Sequence, residues 1–150
     1  MKRTTLLGFY GAFLLAALMG TPAAANARSC SLSGVAGTYG YTTSGSIPML
    51  GAVAGVGHIT LDSSGNATGA QTVSFNGAIV PETLSGTYSV NADCTGTATI
   101  SVFRGGVLAR TSNLNVVWDS NQRELRAIFL TAGTVLTVNG RKMFHEEEED

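Results

Sequence analysis

The sequence predicts an all-β protein, a small antiparallel meander closing into a barrel of about eight strands. Three observations carry that expectation. After residue 27 no window keeps an apolar i, i+3, i+4 repeat for three turns. Apolar residues instead alternate with Thr, Ser and Asn at a spacing of two, as on a strand with one buried face. Short clusters of Asp, Asn, Ser and Gly punctuate these runs, supplying the conformations that tight turns need. A two-sheet β-sandwich has the same periodicity and is the alternative, but the long links suited to Greek-key crossings are missing.

The chain opens differently. Lys2 and Arg3 precede an apolar stretch from Leu6 to Met19, which Gly20, Thr21 and Pro22 break. Small residues follow at Ala23, Ala24, Ala25 and Ala27. A positive start, a short apolar segment and an Ala-x-Ala close describe a cleavable export signal over residues 1–27, with Arg28 as the mature terminus. A helical signal segment, a single domain over 28–144 and an acidic disordered tail over 145–150 are therefore expected. A membrane anchor would need about 18 continuous apolar residues, and no later run reaches that length. A secreted or periplasmic bacterial protein is expected, with no membrane partner once the signal is removed.

In the mature region, strands are expected near 37–46, 51–62, 67–76, 83–91, 95–103, 107–118, 123–131 and 134–143. Leu84, Gly86, Tyr88 and Val90 alternate with Thr and Ser; Ala98, Ile100 and Val102 do the same. Leu114, Val116 and Trp118 alternate with Asn113, Asn115 and Val117. A slip of one residue would expose each apolar set, so the spacing sets the register. Turns fall at Asp62-Ser63-Ser64-Gly65-Asn66, Asn76-Gly77, Asn91-Ala92-Asp93 and Asp119-Ser120-Asn121-Gln122. Gly55, Gly57 and Gly69, inside strands, mark bends of a curved sheet.

Two cysteines, Cys30 and Cys94, are present. In an exported chain they read as one structural disulfide; they lack the CxxC spacing or neighbouring His of a metal site. Without Lys2 and Arg3, seven basic residues stand against ten acidic ones, and five of the acids form the terminal run Glu146 to Asp150. No clustered basic face points to nucleic acid.

Taken together, Gly37-Thr38-Tyr39, the hairpin around Leu61 to Asn66, and Gly86-Thr87-Tyr88 followed by Asn91-Ala92-Asp93-Cys94-Thr95-Gly96-Thr97 resemble a group of small exported bacterial proteins. Those proteins are often likened to the allene oxide cyclase barrel. The resemblance spans about residues 32 to 140 and rests mainly on turn chemistry. It implies an eight-stranded barrel with an apolar interior and carries no catalytic residue over.

Chemical candidates are few. His58 lies between Gly57 and Ile59 and, with Ile59 and Leu61 facing the core, reads as a surface histidine, not a general base or metal ligand. Glu82 and Glu124 open strands, where two carboxylates at a barrel mouth could divide acid and base roles; as polar strand ends they need no such role. Arg110 and Arg126 interrupt otherwise neutral strands. Turned inward, either could hold a ligand carboxylate bidentately; turned outward, the expected orientation, each lies along the sheet surface. Trp118 is a further candidate for ligand contact. No catalytic residue, metal site or cofactor is expected, and the acidic tail reads as solvated chain.

Three readings of function follow: a binding module holding a small apolar ligand, a structural or interaction protein of the periplasm or cell surface with a filled barrel, and a cyclase-like isomerase. The expected inward residues, from Val53 and Ile59 through Trp118 to Phe129, are of medium size and mixed with Gly and Ala. They neither fill a barrel by themselves nor leave it hollow. A continuous cavity of several hundred Å³ would mark binding or catalysis.

Overall fold

A computed structural model describes residues 29–119 and 121–143. The expected signal segment with its cleavage site and the acidic tail lie outside the described residues. Eight antiparallel strands follow one another: β1 (Gly37–Ile47), β2 (Gly51–Leu61), β3 (Asn66–Phe75), β4 (Ala78–Val90), β5 (Thr95–Arg104), β6 (Val107–Asp119), β7 (Glu124–Phe129) and β8 (Val135–Lys142). Each pairs with the next, and β1 pairs with β8, so the meander closes into a barrel. Closure decides against the sandwich, because it leaves no sheet edge exposed.

The expected strands coincide with the observed ones except at β4, which starts at Ala78 instead of Thr83. Asn76 and Gly77, both at positive φ, form a tight turn that lets β4 pair with β3 at once, from Phe75↔Ala78 onward. Pro81 lies within this earlier part of β4. Its missing N–H costs little there, because the ladder to β5 begins only at Thr83↔Phe103.

Alternation places one side of every strand in the lumen. Tyr39 and Tyr41 of β1, Leu84 and Tyr88 of β4, Ile100 and Val102 of β5, and Leu114, Val116 and Trp118 of β6 are all buried. The outer positions carry hydroxyls and amides that meet across strands, as in Ser89–Thr97 at 2.9 Å and Thr99–Asn113 at 2.9 Å. That polar exterior is the reverse of a lipid-facing barrel wall. Inward glycines make room for the large rings. A Cβ on Gly96 would stand 2.8 Å from Trp118 Cζ3, and one on Gly140 would stand 3.1 Å from Tyr41 Cβ.

The lower end, where the turns 62–65, 91–94 and 121–123 lie, is closed by a feature that the absence of helical periodicity did not predict. A single-turn helix, α1 (Leu32–Val35), sits there, and four residues are too few to register a repeat. Ser31 caps it, its Oγ accepting from Gly34 N at 3.1 Å. Tertiary contacts hold it in place. Val35 is fully buried, and the Tyr39 hydroxyl lies 2.7 Å from Val35 O and 2.9 Å from Gln122 O. Lys142 Nζ donates to Gly34 O at 2.9 Å. The disulfide Cys30–Cys94 ties this plug to the β4–β5 turn across 64 positions of sequence, with the Cα atoms 4.9 Å apart.

The upper end carries the turns 48–50, 76–77, 105–106 and 130–134. A second apolar cluster of Val53, Val73, Phe75 and Leu136 lies beneath them. The lumen is thus bounded by the plug below and by this cluster above.

Candidate functional site: the barrel lumen

The period of two brings one polar row into the lumen. Tyr41, Gly57, Gln71 and Glu82 stand opposite one another in register across β1, β2, β3 and β4. Gly57 has no side chain to fill the middle of that row, so Tyr41 and Gln71 meet over it. The Tyr41 hydroxyl donates to Gln71 Oε1 at 2.8 Å, and Gln71 Nε2 donates to Glu82 Oε2 at 2.7 Å.

Glu82 is the centre of this network, and its side chain is fully buried. Arg110 approaches it bidentately, Nη1 to Oε1 at 2.7 Å and Nη2 to Oε2 at 2.8 Å, while Arg104 Nε donates to Oε1 at 2.8 Å. Both guanidinium groups lie over the Phe75 ring, 5.1 and 5.7 Å from its centroid. Burial pushes the Glu82 carboxyl up, but the hydrogen bonds from Arg110, Arg104 and Gln71 outweigh it and hold the group at about 2. Glu82 is therefore a permanent anion with its lone pairs committed, and it has no proton to give. Burial, followed by the Glu82 charge, raises the Tyr41 phenol well above its ordinary value.

Two sequence expectations are corrected here. Arg110 was expected to point outward; it points inward, because it shares the parity of Ser112, Leu114, Val116 and Trp118 and finds a buried carboxylate across β5. Glu82 and Glu124 do not flank one mouth. Glu82 lies inside the upper half, whereas Glu124 begins β7 at the lower end, where its Oε2 is 3.7 Å from Arg126. The other placements match expectation. Arg126 is on the outer wall, paired with Asp119 at 2.7 Å, and His58 is on the exposed face of β2.

The lumen is nearly filled. The remaining cavity is about 90 Å³; its wall is mostly apolar, with Ile59, Leu84, Leu114 and Trp118, and reaches Gln71, Arg110 and Ser112. Strand β6 supplies every inward residue along its length, from Arg110 to Trp118. The cavity thus answers the question that residue sizes left open: the barrel is mostly filled but not solid.

Trp118 sits in this wall with only 3% of its surface exposed, and its indole Nε1 is buried with no hydrogen-bond partner. Its Cζ3 edge is against Gly96, so the N–H lies at the opposite edge of the ring. Leu125 faces Trp118 in register on β7, and the Tyr88 ring, 6.2 Å away, has its hydroxyl committed to Asp62 O at 2.6 Å. Burial, then the Asp62 charge, pushes that phenol up to about 12. Among the described residues no cluster of His, Cys, Asp and Glu could hold a metal ion.

Comparison with family models, with curated proteins and with solved structures finds no match to this chain.

Proposed function

We propose that this is an exported bacterial protein whose barrel holds one small, largely apolar molecule bearing a hydrogen-bond-acceptor oxygen. The observation that carries the reading is the mostly apolar cavity in the lumen, whose wall includes Trp118, a residue with a buried indole N–H and no hydrogen-bond partner. A buried donor left unpaired costs about 1–3 kcal/mol, and a ligand carbonyl or ether oxygen would remove that cost. The volume limits the occupant to about four heavy atoms, against the six of the benzene that a cavity of about 150 Å³ admits, which allows a small ketone and excludes a long chain. The disulfide fits the oxidising compartment that export implies.

Trp118 is the sole tryptophan, so its emission reports on the cavity directly. Acetone and 2-methylpropene have the same shape and differ in one acceptor oxygen. Acetone is expected to shift the emission at a concentration about tenfold lower than the hydrocarbon, the worth of one net hydrogen bond. Trp118→Phe, followed by native mass spectrometry, is expected to abolish that preference. Equal binding of the two probes, or of neither, would refute the reading.

A second reading is favoured by the small cavity itself: a filled barrel serving as a rigid interaction scaffold at the periplasmic or cell surface. It predicts a bare, disulfide-bonded mass for protein purified from its own host and no response to either probe.

A further inference from the structure

The two ends of the lumen are closed by different means. At the upper end the Glu82 carboxylate accepts from Gln71 of β3, Arg104 of β5 and Arg110 of β6, so opening there would break a buried ion network. The lower end is closed by residues 30–36, which belong to no strand. Apart from the disulfide, this plug is held by the burial of Val35, by Leu32 packed beside it, and by single hydrogen bonds. Cys30 N donates to Ala92 O at 3.1 Å, and Ser31 N to Gln122 Oε1 at 3.3 Å. The Tyr39 hydroxyl and Lys142 Nζ reach Val35 O and Gly34 O at 2.7 and 2.9 Å. Segments with few buried apolar contacts open separately from the core they cover.

The cysteine that ties the plug down stands in a position that favours glycine. The turns 62–65 and 91–94 are built alike. Asp62 N donates to Asn66 O and Asn91 N to Thr95 O, while Gly65 N donates to Asp62 O and Cys94 N to Asn91 O. The closing residue has positive φ in both, 90° at Gly65 and 69° at Cys94. Glycine takes that conformation freely, whereas a residue with a Cβ is strained by it. Cys94 O also accepts from Trp118 N at 2.9 Å, which places the bridge one hydrogen bond from the tryptophan of the cavity.

We propose that the plug is the door of the lumen and the Cys30–Cys94 bridge its latch, opened by thiol–disulfide exchange with a dithiol. The inference rests on the lumen reading, whose ligand has to pass one end of the barrel. Cys94 is partly buried and Cys30 more deeply so, which directs an incoming thiolate to the Cys94 sulfur. Its attack forms a mixed disulfide with Cys94 and expels the Cys30 thiolate. The second thiolate of the dithiol then displaces Cys94. The dithiol leaves as a disulfide, and the two protons it loses end on Cys30 and Cys94. The first sulfur released is the one on the plug. Lifting the plug then uncovers the apolar cluster that Val35 shares with Tyr39, Tyr88, Trp118 and Leu125.

The test compares oxidised wild type, wild type reduced with dithiothreitol, and oxidised Tyr39→Phe, which removes the hydroxyl that clasps Val35 and Gln122. Peptide-resolved amide hydrogen exchange reads the plug, where the amides of Cys30, Ser31, Gly34, Val35 and Ala36 all donate hydrogen bonds. Acrylamide quenching of Trp118 reads access to the lumen. On reduction the plug amides are expected to exchange about tenfold faster or more, and quenching to increase, while the strand amides stay protected. Tyr39→Phe is expected to show a smaller rise in the same amides with the bridge intact. Plug exchange unchanged by reduction would overturn the proposal. So would plug and strands losing protection together in both the reduced protein and Tyr39→Phe, since the bridge would then staple the whole fold. Acetone separates the two readings. Equal rates of emission change in oxidised and reduced protein would sink the latch alone, whereas a plug that opens without acetone ever binding would sink the lumen reading alone.

Discussion

Replacing Glu82 with glutamine keeps the shape of the side chain and removes the one negative charge between two guanidinium groups. Four donated hydrogen bonds end on this carboxylate. In the variant, one of its two oxygens becomes a donor and confronts Arg110 Nη2 and Gln71 Nε2. Breaking a buried pair from one side costs about 3–5 kcal/mol. Arg104 and Arg110 retain 45% and 32% side-chain exposure and can turn partly to water, which places the loss at the lower end. An independent route agrees. A carboxyl lowered from 4.5 to about 2 contributes, at 1.36 kcal/mol per pH unit, about 3 kcal/mol at neutral pH. The folded value is depressed, so this stability is present in full above about 4.5 and is lost as the pH falls toward about 2. Urea unfolding of the oxidised protein measures both effects. With a slope of about 1.5 kcal/mol/M, Glu82→Gln lowers the midpoint by about 2 M at pH 7. Near pH 2 the wild type falls toward the variant and the gap closes, since the other carboxylates titrate alike in both. A loss below about 1 kcal/mol at pH 7, or a gap that persists in acid, would refute the assignment of Glu82 as a buried, charge-paired anion.

Reduction of Cys30–Cys94, or its replacement by Cys30→Ala/Cys94→Ala, is expected to cost about 4 kcal/mol, from the loop entropy of 64 intervening positions. Urea midpoints with and without reductant check it, and thiol labelling of the folded protein should find no free cysteine. Gly96→Ala would press a methyl group onto the Ser89 carbonyl and stand 2.8 Å from Trp118 Cζ3. An overpacking loss of about 1–3 kcal/mol and a changed tryptophan emission spectrum are expected, and an unaltered melting curve would contradict the packing described.

Much of this barrel is legible in local patterns. Period-two alternation identified the inward faces of β4, β5 and β6, and Asp, Asn and Gly turns placed the strand ends to within a residue or two outside β4. Arg110 shows where local reading was applied too timidly. Counting back from Trp118 by twos through Val116, Leu114 and Ser112 reaches Arg110 and puts it inside. The same parity runs from Leu84 to Glu82 and from Val73 to Gln71, so the inward position of each polar residue was available, though not what it meets. Glu82 and Arg110 are 28 positions apart on strands that do not touch, separated by β5.

What the sequence alone determined is therefore the number and order of the strands and the inward apolar set of most of them, because side-chain alternation and turn conformation depend on neighbours a few residues away. The pairing of the two cysteines was read from their count and matches the structure. Tertiary structure decided the rest. Closure of β1 on β8 chose the barrel over the sandwich. Packing of rings against glycines set the cavity at about 90 Å³ and left the Trp118 N–H unpaired. The buried ion network arises from residues on different hairpins, brought together only once the sheet has closed. Such contacts depend on distances through space, which no local pattern encodes.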